Sequence, residues 1–159
     1  MSEPRRLPSA ALALALGLVI APAALLAETS PAQLMKARHD HYHELGDAFK
    51  TIRDQSRDTT PDLKAIQSAA NVVNEASVDQ QRWFPAGTGP EAGKTRALAQ
   101  IWTRPQDFAA AQKMFSDAAP KLLAAANASD VAGIRTQFGA VGKSCKNCHD
   151  TFRAKEEHD

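Results

Sequence analysis

Between residues 30 and 152, apolar side chains recur every three or four positions in four separate runs, and no stretch alternates with the two-residue period of a strand. That spacing commits the chain to amphipathic helices. Ser30-Pro31 opens the first run, a cap followed by proline at the first helical position, and its inner stripe reads Leu34, Arg38, His41, Leu45, Ala48, Ile52. Thr60-Pro61 opens the second, through Leu63, Ile66, Ala70, Val73 and Ala76. The third starts near Thr103 with Phe108, Ala111, Phe115, Ala118, Leu122 and Ala125 inside, and Pro120 should kink it. Ser129 and Asp130 cap the fourth, whose stripe is Val131, Ile134, Phe138, Val141, Cys145, Cys148, Phe152. Residues 78–103 carry Pro85, Gly87, Gly89, Pro90 and Gly93 and form a long irregular connection, of the length that usually serves a site or packs on something.

Four such helices, with short links at two of the three joins, predict an all-α protein folded as an antiparallel up-down-up-down four-helix bundle. Alanine supplies much of the apolar content and aromatics only 6%, which favours helices with small packing faces over β-branched strands. A chain of 159 residues suits one domain.

Residues 1–27 stand apart from this pattern. Arg5 and Arg6 precede an apolar stretch over residues 10–26, and Ala27 offers a cleavage point, although Leu25 is larger than the small residue usual two positions earlier. This is the layout of a secretory signal peptide, leaving 28–159 as the mature domain and a periplasmic, exported product. The rival reading is a membrane anchor. Gly17 and Pro22 interrupt the stretch, and a span needs ~20 apolar residues, so any membrane association would run through this segment left uncleaved. Removing it takes Glu3, Arg5 and Arg6 from 18 acidic and 19 basic side chains and leaves 17 of each. With no basic patch, nucleic acid is not an expected partner.

The two cysteines fall in one motif, Cys145-Lys146-Asn147-Cys148-His149, the c-type haem attachment pattern. Two thiols must reach the two vinyl groups on one edge of a porphyrin, and the next residue must set an imidazole beneath the iron. On a helix, positions 145, 148 and 149 share a face, and both cysteines continue the apolar seam. A redox disulfide would also use CxxC, but normally at a helix start beside a strand. A zinc site would need a second CxxC or a histidine pair at metal spacing. The motif therefore predicts one covalent haem c per chain, held by Cys145 and Cys148, with His149 as axial ligand.

The run from Phe138 through Cys145-Lys146-Asn147-Cys148-His149 to Phe152-Arg153 is similar almost throughout to the ending of the cytochromes c′, the helical-bundle branch of the c-type cytochromes. The loop matches as well, with Trp83-Phe84-Pro85-Ala86-Gly87-Thr88, then Thr95-Arg96-Ala97, closing on Ile101-Trp102. The chain thus resembles the cytochrome c′ family over residues 30–155. Cytochrome c′ is itself a known example of the bundle topology, so resemblance and topology are one expectation rather than two.

The resemblance implies a five-coordinate, high-spin iron with an open or apolar distal side. It further implies binding of nitric oxide and carbon monoxide, roles in nitric oxide handling or electron transfer, and homodimers; the redox partner stays open. Arg38 sits where the family's haem-contacting arginine sits, and the distal position four residues on lands on Tyr42. By the same analogy His39, Thr95 and Arg96 line the haem edge, and Arg153 lies near the proximal face. A buried Arg38 needs a partner, which a haem propionate would supply.

His39, His41 and His43 cluster on the first helix, where relatives usually carry a small residue at the position of His41; His39 and His43 are expected to face solvent. His41 falls in the inner stripe, so it is predicted to point into the bundle, with Tyr42 packed over the vacant iron face. The alternative is that His41 ligates iron, giving a low-spin, six-coordinate electron carrier. The family's low-spin relatives carry a methionine on the first helix; Met35 precedes Arg38, the wrong side for that pattern, so the resemblance does not imply methionine ligation. An enzyme such as a peroxidase would need a distal acid–base pair, and only this histidine cluster could provide one, so a non-enzymatic role is expected.

Overall fold

The computed structural model describes residues 29–155, so the signal-segment reading of residues 1–27 lies outside the described residues. Helix α1 spans Pro31–Arg57, α2 Leu63–Asp79, α3 Gln100–Thr103, α4 Pro105–Asn127 and α5 Val131–Phe152. The four long helices form the antiparallel up-down-up-down bundle; each packs on its neighbour in the chain, and α1 closes on α5. Among the described residues the only extended pairing is an isolated bridge between Ala97 and Arg153.

Each helix starts for a local reason. A capping box opens α1: the Ser30 hydroxyl accepts from the Gln33 amide at 3.3 Å while the Gln33 side chain accepts from the Ser30 amide at 2.8 Å. Helix α2 begins later than Thr60-Pro61 predicts, because Asp62 is the cap, its Oδ1 accepting from the Ala65 amide at 2.9 Å. The third long helix begins at Pro105 rather than near Thr103. Proline disfavours the helical conformation in the residue before it, and Arg104 (φ −129°, ψ 58°) breaks the chain into the single turn of α3 and the long α4.

Helix α4 runs unbroken through Pro120, but its buried face shifts by one residue there. Ala119, Leu122 and Ala126 are buried, whereas the predicted Ala118 and Ala125 are half-buried. The turn into α5 is a Schellman motif, with Ser129 N–H donating to the Ala126 carbonyl and Asp130 N–H to the Ala125 carbonyl, both at 3.0 Å. Ser129 takes the left-handed conformation (φ 54°) usually left to glycine, and Asp130 then caps α5 by accepting from the Gly133 amide at 2.9 Å.

The main core is aliphatic. Ile52, Ile66, Val73, Leu122, Ile134 and Val141 are wholly buried, each contributing about 1.5–3 kcal/mol relative to exposure. Phe49 and Phe138 stack at its side with ring centroids 4.0 Å apart. A second, aromatic cluster of Ile101, Phe108, Ala111 and Phe152, with Phe84 and Trp102 against it, lies under the long connection. That connection is tied to the end of α5: Leu98 N–H donates to the Phe152 carbonyl at 3.0 Å and Ala154 N–H to the Arg96 carbonyl at 2.8 Å.

Candidate haem site

Cys145 packs against the aliphatic core and Cys148 against the aromatic cluster, so the CxxC pair lies where the two apolar bodies meet. Both thiols are half-buried and they are not joined to one another. Burial pushes the Cys145 thiol up; burial and then the neighbouring Cys145 push Cys148 up to about 11. A dithiol redox couple needs the opposite shift, toward thiolate. His149 is exposed on the face of α5; what desolvation it has, then the Arg153 and Arg96 guanidinium groups, lower its imidazole below the ordinary value, which favours the neutral, metal-ligating form. Two thiols at i and i+3, followed by an imidazole, are the residues that would hold a porphyrin through two thioethers and offer its iron an axial nitrogen.

Opposite this motif stands the inner row of α1. Arg38 is buried, and its guanidinium spans the loop: Nη1 donates to the Thr88 hydroxyl at 3.0 Å and the Trp83 carbonyl at 3.3 Å, Nη2 to the Thr88 carbonyl at 2.9 Å and the Thr95 hydroxyl at 3.2 Å. It also lies over the Phe84 ring, 4.8 Å from its centroid. Loop carbonyls and hydroxyls accept from this arginine and tie α1 to the loop. Thr88, wholly buried, accepts from Arg38 and donates its own hydroxyl to the Pro85 carbonyl at 2.8 Å. Gly87 turns the chain there with φ 75°, a conformation glycine adopts without strain.

Tyr42 follows Arg38 one turn on, edge-on to Trp83 at 5.0 Å and tilted against Phe84 at 6.2 Å. Burial raises the phenol well above its ordinary value, Cys148 and Cys145 add to the rise, and Arg38 and Arg153 oppose it. The hydroxyl thus lies within electrostatic reach of both thiols.

His41 is corrected by the structure. It is exposed and stacks on Trp83, centroids 4.8 Å apart and planes 15° from parallel, at a shallow groove between α1 and α2 shared with Glu44, Glu75, Asp79 and Arg82. Positions 41 and 42 both satisfy a three-or-four spacing between Arg38 and Leu45. The larger tyrosine ring takes the inner place, and the more polar imidazole turns outward. His39 is also exposed and pairs with His43 rather than joining the Arg38–Tyr42 row. Thr95 meets Arg38, Arg96 donates to the Ala154 carbonyl from Nε at 3.1 Å and Nη2 at 2.8 Å, and Arg153 is exposed at the end of α5. Thr88 carries a site role that sequence reasoning does not single out. An arginine in an apolar stripe demands acceptors, and the facing loop is where to look for them.

A bundle with this attachment pattern on its last helix defines a class, the helical-bundle c-type cytochromes. The family model described as Cytochrome C′ matches residues 33–153, and the chain belongs to the cytochrome c′ family. It is 40% identical over 92 residues to the cytochrome c′ of Alcaligenes xylosoxydans xylosoxydans, covering 58% of this chain and 71% of that one. Among solved structures it resembles the nitric oxide complex of a leucine-to-alanine variant of cytochrome c prime from Alcaligenes xylosoxidans. That match has a TM-score of 0.72 and 30% identity, covering 80% of this chain and 98% of the other. It also resembles a cytochrome c′ with an unusual ligand-controlled dimer dissociation, with a TM-score of 0.74 and 26% identity over 79% of this chain and 98% of that one. The cofactor is accordingly covalent haem c.

Proposed function

We propose that the mature chain is a periplasmic, homodimeric haem protein with a high-spin, five-coordinate iron that binds nitric oxide and carbon monoxide. Cys145 and Cys148 carry the thioethers, His149 is the axial ligand, and the haem iron supplies the atom to which the diatomic binds. The observation that carries this reading is on α1: Tyr42 takes the inner place one turn after Arg38, against Trp83 and Phe84, and Phe84 packs on the same aromatic cluster as Cys148, while His41 lies outside on Trp83. Ligation by His41 would require its ring to leave that stack and displace Tyr42. No helix among the described residues is long and apolar enough to cross a membrane.

The residues then divide the work. Arg38 fixes the loop that shapes the distal wall. Tyr42 covers the open face and must move before a ligand enters. Thr95 and Arg96 line the haem edge, and Arg153 sits one turn beyond His149 on the proximal side. The chain binds ligands or carries electrons rather than catalysing turnover, a role supported by the pairing of His39 with His43 away from the distal wall.

Tyr42→Ala tests the gate. Opening it loosens two aromatic contacts, each of about 0.5–1.5 kcal/mol. Removing the ring should therefore accelerate carbon monoxide association roughly tenfold in flash photolysis. An unchanged rate removes Tyr42 from the site.

A further inference from the structure

We propose that His39 and His43 form a bidentate site for a divalent transition-metal ion of the copper, nickel and zinc group on the outer face of α1. The two residues stand at i and i+4, one turn apart on a helix surface. Their Nε2 atoms converge to 3.2 Å, with ring centroids 4.4 Å apart and planes inclined by 52°. Imidazole nitrogens bind such ions at about 2.0–2.1 Å, so a pair at this separation subtends about 100° at a shared ion, between the square and tetrahedral angles.

The surroundings favour a cation. Asp40 places Oδ1 3.5 Å from His39 Nδ1; in the Nδ1–H tautomer it would accept that proton and leave Nε2 its lone pair, the arrangement that orients metal-binding histidines. Lys36, the nearest lysine in sequence, is itself paired with Asp40 at 2.6 Å, and Glu44 and Asp47 are exposed on the following turn. Both imidazoles are exposed, so two protein nitrogens and solvent complete the coordination. The rival account is a hydrogen bond from one imidazole to the other with no affinity for metal. It predicts the same distance and a different titration.

The experiment is a titration of the mature haem protein with Cu²⁺, read by calorimetry and electron paramagnetic resonance, and repeated with Zn²⁺ and Mg²⁺. We expect one Cu²⁺ bound per chain with a nitrogen-ligated signal, weaker binding of Zn²⁺ and none of Mg²⁺. His39→Ala and His43→Ala should each weaken Cu²⁺ binding more than tenfold. Asp40→Asn should weaken it about tenfold through the lost orientation of His39. His41→Ala should leave it unchanged. Unchanged Cu²⁺ affinity in His39→Ala or His43→Ala, or no Cu²⁺ bound to the parent protein, overturns the proposal. The haem absorption spectrum of each surface variant reports that the bundle is intact.

Discussion

Arg38 illustrates how much one side chain can organise. Four hydrogen bonds from one guanidinium hold two loop carbonyls and two hydroxyls around a buried cation lying on Phe84. Bonds of this charge-assisted kind are each worth ~1.5–3 kcal/mol net, and losing the donor strands the buried Thr88 carbonyl. Arg38→Met should therefore destabilise the haem protein by about 3 kcal/mol in urea unfolding. Arg38→Lys should recover little, because an ammonium cannot reproduce the planar fork. A loss under about 1 kcal/mol would mean that the loop holds itself. The cysteines make a second claim at this scale. With both Cys145 and Cys148 replaced by Ala, acidified organic solvent should extract the haem, and haem retained through that treatment contradicts attachment at these thiols.

At the scale of elements, α5 does the most. Its inner seam runs from Ile134 through Val141 to the cysteines and Phe152, and it is pinned at both ends, by Asp130 at the start and by the pairing with residues 96–98 at the finish. Phe138 lies beside that seam, half-buried and stacked on Phe49. Full burial would make Phe138→Ala cost ~3–5 kcal/mol; at a half-buried, stacked position we expect about 2 kcal/mol in the urea midpoint. A cost below about 0.5 kcal/mol would mean that the stack contributes nothing. The helices themselves were legible from spacing, and α1 and α5 also from their caps. Two boundaries were not. Thr60-Pro61 looks like a start until Asp62 competes for the same amides, and Pro105 ends one helix as it begins another. His41 was misread for a related reason. Spacing alone cannot choose between adjacent positions on a helix, and the choice falls to the partner ring, here Trp83.

For the whole molecule, the haem motif and the bundle were legible together, because CxxCH on an apolar seam places a flat apolar cofactor against the core. The contacts of the connection over residues 80–99 were not, since they depend on side-chain bonds to Arg38 and backbone bonds to α5 that carry no periodic signal. The resulting arrangement has two apolar clusters, the CxxC pair at their junction, and Tyr42 rather than His41 on the inner side of α1. The central claim is that the iron has one protein ligand. Resonance Raman and absorption spectra of the ferrous protein, for the parent and His41→Ala, test it most directly. The account predicts a high-spin, five-coordinate haem with closely matching spectra in both. A low-spin, six-coordinate parent that becomes high-spin in His41→Ala would contradict it.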